Sequence, residues 1–291
     1  VSDRGQRAAR PFALVATRVR VEERMLLDAF RRRGVACEHV DDRSIVYRVG
    51  GPPPPWRAVL NRALSAIRRL EVSRWCAATD TPVLNSPETL ACCDNKIATS
   101  LALHRAGVPT PDTVVALDAA GGGRAVAEVG YPAVVKSVNG SWGRALARVG
   151  DADAAEAVFA LRAEMASPVQ KLGYTQTFLP GRDLRVLVVG GRAVAAVVRE
   201  ADHWVRNTAR GARATAHALD PELARLAERS AAAVGGGVLG VDLLEDAAGD
   251  LRVLEVNGAV EFHGLADAHP DLPVADLIVD HLLDATAGAA S

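Results

Sequence analysis

Short apolar runs alternate with helix-periodic stretches along most of the chain. Residues 12–16 (FALVA) form a continuous apolar run of strand length, and Met25, Leu26, Ala29 and Phe30 recur at helical spacing over about 22–33 before Gly34. A buried strand, then a helix stopped by glycine, is the expected reading. Further strands are predicted at Ala36–Val40, Ala58–Leu60 and Val83–Leu84, with a helix near 62–78 and a loop holding Gly51 and Pro52 to Pro55. This alternation predicts a small open α/β domain ending near residue 85.

From Asn85 the pattern restarts. Ser86-Pro87-Glu88 reads as a helix start and 94–105 as a helix closed by Gly107 and Pro109. Strands are expected near 113–116, 132–137 and 145–149, the last two enclosing the loop 139–144, followed by an Ala-rich helix over about 151–165. Leu184–Val189 and Ala193–Arg199 flank Gly190-Gly191 as a β-hairpin. A helix near 221–234, strands Val238–Glu245 and Leu251–Val256, and a closing helix at about 273–284 complete the reading. The expected division is a flexible tail at 1–10, an α/β domain at 11–85, a lobe with a glycine-rich loop at 86–180 and a C-terminal lobe at 181–291.

Composition narrows the classes. With 49% hydrophobic and 24% charged residues in 291, the chain can bury a sizeable core, which argues against wholesale disorder. The formal net charge of −1 argues against a generally basic nucleic-acid binder. No apolar run reaches the roughly 18 residues that span a bilayer, so no membrane partner is expected. The first ten residues lack the apolar stretch of a signal peptide, and four cysteines without CxxC spacing fit a reducing cytoplasm. Only three of the 34 basic residues are lysines: Lys96, Lys136 and Lys171. In a chain that otherwise favours arginine, each lysine marks a place where a compact, flexible cation is wanted.

Three groups of residues can carry chemistry. Lys136 ends an apolar strand and is followed by the loop Asn139-Gly140-Ser141-Trp142-Gly143-Arg144. Such a loop can fold over polyphosphate, although a hairpin with a solvated lysine has the same sequence features. Asp242, in GVDLLE, and Glu255 and Asn257, in LEVN, interrupt apolar strands. Two carboxylates and an amide oxygen make a hard ligand set suited to Mg²⁺, while an acid pair satisfied by arginines is the open alternative. The segment 182–213 carries seven arginines against three acids, among which Arg210 has small neighbours that would admit a ligand. His203, Trp204, Glu261 and His263 are ambiguous one by one, and no serine triad or zinc spacing is present.

Read in order, VRVEE (19–23), NSPE (85–88), DNK (94–96), AGVPTP (106–111), YPAVVKSVNGSWGR (131–144), GRDLRVLVVGG (181–191), HWVRNTARG (203–211), GGGVLGVDLLE (235–245) and LEVNGAVEF (254–262) resemble ATP-grasp ligases of the LysX type. The resemblance spans about residues 12 to 283. It implies an α/β class ATP-grasp fold, with an N-terminal pre-ATP-grasp domain and two α+β lobes clamping ATP. It implies Lys96 and Lys136 as phosphate-binding lysines, Asn139 to Arg144 as the lid, and Gln176, Thr177, Phe178 and Leu179 as the adenine hinge. Asp242, Glu255 and Asn257 become Mg²⁺ ligands, and Arg185, Arg210 and Asn207 catalytic groups at the transferring phosphoryl. His203, Trp204, Gly258, Ala259, Glu261 and Phe262 fall to the substrate site. The implied partners are an amino acid and a small acidic amino-group carrier protein ending in glutamate, and a homo-oligomer is expected. A RimK-like protein glutamylase, a free dipeptide ligase, or a non-catalytic nucleotide-binding protein are the alternatives. Where lysine-pathway members carry bulkier residues after the metal asparagine, this chain has Gly258-Ala259-Val260, and Thr177 and Ala212 also depart from the family pattern. These departures imply a reshaped amino-acid pocket and an amine substrate other than plain α-aminoadipate.

Overall fold

Three sheets organise the chain in a computed structural model that describes residues 10–140, 145–201, 203–204 and 213–288. The first is parallel, in the order β2-β1-β3-β4, from β1 (Phe12–Val15), β2 (Cys37–Val40), β3 (Val59–Asn61) and β4 (Val83–Leu84). All four residues of β1 are buried. Burial on both faces is why this strand is apolar throughout rather than alternating. The helix Val21–Arg32 turns Leu26, Ala29 and Phe30 inward, and Phe30 packs on Phe12 with ring centroids 5.6 Å apart.

The second sheet is antiparallel, in the order β5-β8-β6-β7, from β5 (Thr113–Ala116), β6 (Ala133–Lys136), β7 (Ala147–Val149) and β8 (Gly173–Thr177). Helices Gly122–Val129 and Ala152–Ala163 cover it around a core of Val126, Val135, Val149 and Phe159. The first of these helices was not expected, because a Gly-Gly start has poor helix propensity. Packing decides it: a Cβ at Gly122 would lie 2.1 Å from the Phe159 ring, so only glycine admits that ring. Strand β8 was also missed. Its sequence, GYTQT, has no apolar alternation, yet it is the inner strand between β5 and β6.

The third sheet is the largest, antiparallel in the order β11-β10-β9-β12-β13, from β9 (Arg182–Val189), β10 (Arg192–Glu200), β11 (Arg213–His217), β12 (Val238–Glu245) and β13 (Leu251–Asn257). The expected hairpin is present, with Gly190 and Gly191 at φ 58° and 80°, positive values that glycine adopts freely in a two-residue turn. Alternate residues of β9 serve different cores. Leu187 and Val189 pack with Phe12, Phe30 and the closing helix Val274–Gly288, whereas Leu184, Val186 and Val188 pack with the helix Pro221–Ala233 and with Leu103 and Val108. The large sheet is thus the hub: one face holds the N-terminal domain, the other the helices that lead to the site. Helices Pro87–Cys93 and Lys96–Arg105 belong to this second face, contacting β13.

Asn85 fastens these parts together. Its Nδ2 donates to the carbonyls of Val238 (2.8 Å) and Gly258 (2.7 Å), while the Val238 N–H donates to its Oδ1 at 2.7 Å. Gly237, at φ 107°, leaves the room, since a Cβ there would lie 2.1 Å from Asn85 Oδ1. Asn85→Ala strips three buried backbone groups of their partners and should cost about 3 kcal/mol, read as a lower urea midpoint. An unchanged midpoint would show that the contact contributes nothing.

Candidate active site

The site grows from β12 and β13. An irregularity in their register sets Asp242 opposite Glu255, and Asn257 follows two residues on, along the same face. Asn257 Nδ2 lies 3.2 Å from Asp242 Oδ2 and 3.4 Å from Glu255 Oε1, so the three side chains converge. Asp242 is only 3% exposed and therefore needs compensation. Arg185, its register partner on β9, donates through Nε and Nη2 to the two carboxylate oxygens at 2.7 and 2.8 Å. Arg199, on β10, adds a bond to Asp242 at 3.2 Å and holds Asp183 at 2.8 Å through Nε. The pairing of Asp242 with arginines, one of the two readings of the sequence, is what the free site shows. The ligand reading is compatible with it, because Asn257 carries a carbonyl as well as an amide nitrogen and all three groups offer hard oxygens.

Two lysines approach from other elements. Lys96 opens the helix Lys96–Arg105, whose first turn is capped by Asn95 through bonds from the N–H groups of Ile97 and Ala98. Its ammonium pairs with Glu255 at 3.2 Å and donates to the Gly140 carbonyl at 3.0 Å, joining the triad to the start of the glycine loop. Lys136 ends β6 and donates to Gln176 Oε1 at 2.5 Å. The Gln176 amide nitrogen in turn donates to Thr113 Oγ1 (3.0 Å) and the Tyr174 hydroxyl (2.8 Å), which lies 2.7 Å from Ser100 Oγ. The Gln176 side chain is therefore buried and held against Lys136.

These contacts set the charge states. Burial works to raise the Glu255 carboxyl, but Lys96 and Lys136 outweigh it and hold the group far below the usual carboxylate range. Burial pulls the Lys136 ammonium down from 10.5 to about 8, and Lys96 adds to that, against the attraction of Glu255. Cys93, which lines the cleft, is pushed well up by burial and stays a thiol.

Lys96, Asn139, Gly140, Arg185, Glu255 and Asn257 share one cleft, which Gly258, Ala259 and Glu261 extend. Phe262 backs that cleft, 1% exposed, with the Arg62 guanidinium 5.6 Å from its ring centroid. In the segment expected to be the hinge, the Phe178 ring carries the Arg148 guanidinium 3.9 Å from its centroid and meets Trp204 at a steep angle with ring centroids 6.1 Å apart. His203 packs beside Trp204. The Thr177 hydroxyl is buried without a partner among the described residues, and Leu179 is half-buried. Ser141, Trp142, Gly143, Arg144, Asn207 and Arg210 lie outside the described residues. The arginine segment does not form one basic face: Arg199 is buried and Arg185 largely so, whereas Arg182, Arg192 and Arg213 are exposed. Sequence reasoning missed Arg20, Arg62 and Arg69, which the N-terminal domain sends to the cleft. The signal was the charged VRVEE run, where Glu23 accepts from the Arg20 N–H at 3.0 Å.

The described groups that converge here are cations, carboxylates and an amide, which act by charge and placement. Residues 93–280 match the RimK-like ATP-grasp domain and residues 12–92 match the LysX preATP-grasp domain. The chain belongs to the RimK-like ATP-grasp family and is an ATP-dependent, ADP-forming carboxylate–amine ligase. It is 34% identical over 206 residues to the alpha-aminoadipate–LysW ligase LysX of Saccharolobus solfataricus, covering 70% of this chain and 75% of that one. It is 25% identical to the glutamate–LysW ligase ArgX of Sulfolobus acidocaldarius, covering 93% and 97% respectively. Among solved structures, a RimK domain ATP-grasp protein from Sphaerobacter thermophilus superposes with a TM-score of 0.79 at 30% identity, over 93% of this chain and 98% of that one.

The Lys136 shift has a sign that can be checked. The free lysine loses its proton near pH 8, and nucleotide phosphates favour the charged form. ADP binding should therefore take up protons between about pH 8 and 10 and weaken as pH rises through that range. Titration calorimetry in buffers of different ionisation enthalpy measures the uptake, and Lys136→Met should abolish it. Equal uptake by both proteins would exclude Lys136 as its source.

Proposed function

We propose that this ligase joins the C-terminal glutamate carboxylate of a small acidic carrier protein to the α-amine of an amino acid. The observation that carries this reading is the pairing of a LysX-type N-terminal domain with a RimK-like catalytic domain in one chain. The LysX and ArgX relatives, both named as LysW ligases, support it.

In this reading the γ-phosphoryl of ATP passes to the carrier carboxylate, giving an acyl phosphate and ADP. The amine attacks the acyl carbon, phosphate leaves, and an amide remains. Lys96 and Lys136 hold phosphate oxygens, and Arg185 faces the transferring group. Asp242, Glu255 and Asn257 would hold Mg²⁺, which neutralises phosphate charge when bound. Asn139 and Gly140 begin the lid that excludes water from the acyl phosphate. The proposed units are a pre-ATP-grasp domain to residue 85 and two lobes meeting near 180.

The amino acid is read from the wall after Asn257. Gly258 does not enlarge the pocket: a Cβ there would press on Leu90 and Cys93 at 3.2 and 3.3 Å. Ala259 is exposed to the cleft, so the room for a larger or differently shaped substrate opens at that position.

Intact-mass spectrometry of a small acidic carrier ending in glutamate, incubated with enzyme, ATP, Mg²⁺ and amino acids, tests the proposal. A single amino-acid adduct with matching ADP is expected. A ladder of glutamates would identify a glutamylase instead, and a free dipeptide with an unmodified carrier would identify a dipeptide ligase. Lys136→Ala should lower the adduct rate by about a hundredfold or more, the size of effect seen when a donor to transition-state charge is removed. An undiminished rate would remove Lys136 from the phosphate site.

A further inference from the structure

Two ion pairs whose members are both part-exposed line the free cleft. Lys96–Glu255, at 3.2 Å with side chains 19% and 30% exposed, joins groups that the proposed chemistry assigns to phosphate and metal. Arg20–Glu261, at 3.1 Å with side chains 24% and 26% exposed, lines the same cleft but has no part in that chemistry. Its two members come from different domains, and only one of them was read from the sequence as a substrate group.

The guanidinium of Arg20 is fixed along one edge. Its Nε and Nη2 donate to the two carboxylate oxygens of Glu23 at 3.0 and 3.1 Å, and Glu23 is 0% exposed. Neighbouring Arg62 is fully committed: Nε to Glu23 (3.2 Å), Nη2 to Glu22 (3.1 Å) and Nη1 to the Val260 carbonyl (2.6 Å). Glu22 also accepts from the Phe262 N–H at 2.9 Å and lies 2.9 Å from His263 Nδ1. This scaffold pins residues 260–263 of the C-terminal lobe to the N-terminal domain, and so fixes where Glu261 stands. Arg69 is held on Asp94 at 2.9 and 3.1 Å. Within the network, the Arg20 Nη1–Glu261 contact is a single hydrogen bond between two part-exposed groups, and it can open without disturbing the buried bonds.

A guanidinium and a carboxylate side by side match the two ends of an α-amino acid zwitterion. Arginine recognises a carboxylate with directed, charge-assisted bonds, and a carboxylate accepts from an ammonium in the same way. We propose that Arg20 and Glu261 form the zwitterion-binding end of the cleft, with Arg20 Nη1 taking the α-carboxylate of the amine substrate and Glu261 taking its ammonium. In the free protein each group covers the other's charge. The substrate class is thereby an α-amino acid with a free carboxylate, not a simple amine. This rests on the reading of the amine substrate as an amino acid, and it makes the N-terminal domain part of the substrate site.

Titration calorimetry on the full chain with ADP and Mg²⁺ tests it. The proteinogenic L-amino acids and L-α-aminoadipate are titrated first; the strongest binder is then compared with its decarboxylated amine and its des-amino acid. Arg20→Gln should weaken the amino acid by about tenfold or more, the loss of one charge-assisted bond, while leaving the decarboxylated amine within about twofold. Glu261→Gln should weaken the amino acid and the amine but not the des-amino acid. ADP affinity, measured alongside, reports whether each variant is folded, and if Arg20→Gln fails that check the Glu261→Gln pattern decides. If folded Arg20→Gln keeps the wild-type preference for amino acid over amine, the inference falls while the amino-acid reading stands. If the wild type binds no member of the panel, that reading falls and takes this inference with it.

Discussion

Two carboxylates set opposite one another across β12 and β13, Asp242 and Glu255, constrain everything around them. Removing two like charges from water in such proximity is costly unless cations are brought to them. The chain brings four, each from a different element: Arg185 from β9, Arg199 from β10, Lys96 from the helix Lys96–Arg105 and Lys136 from β6. The two inner arginines follow from sheet register, since β9 lies between β10 and β12. The lysines require the smaller sheet and the helix to approach the large one, and that approach creates the cleft. Under the proposed function, charge compensation in the free protein and ligand binding in the working enzyme use the same side chains.

That double use explains the unequal treatment of lysine and arginine. Lys96 and Lys136 hold single or paired contacts through a compact ammonium on a flexible stem, which can leave one partner for another. Arg185 holds Asp242 with two parallel bonds, a geometry that resists exchange. The third lysine, Lys171, ends a short helix at Pro168–Lys171 and takes no part in the site.

Much of the candidate site was legible because acids in the middle of apolar strands, and rare lysines at element ends, stand out against their surroundings. Asp242, Glu255, Lys96 and Lys136 are of this kind, and Asn257 follows at the end of the strand that carries Glu255. What escaped depends on contacts between distant segments. Arg20 and Arg62 look like surface charge in a chain with many arginines, and only the burial of Glu22 and Glu23 beneath residues 260–263 gives them a place. The same holds for the fold. The apolar β1 and the Gly190-Gly191 hairpin declare themselves locally, whereas β8 becomes a strand only between two partners and the helix Gly122–Val129 forms despite its glycines because Phe159 needs the space. Gln176, expected at the hinge, also holds Lys136.

Under the proposed function, Glu255 exchanges the Lys96 ammonium for a metal, held together with Asp242 and Asn257, when nucleotide enters. Electron paramagnetic resonance of Mn²⁺ in the presence of ADP measures this directly. The account predicts that the wild-type protein immobilises Mn²⁺ only with ADP present, and that Glu255→Gln loses the bound signal while ADP still binds. Wild-type Mn²⁺ immobilisation by folded Glu255→Gln would contradict it.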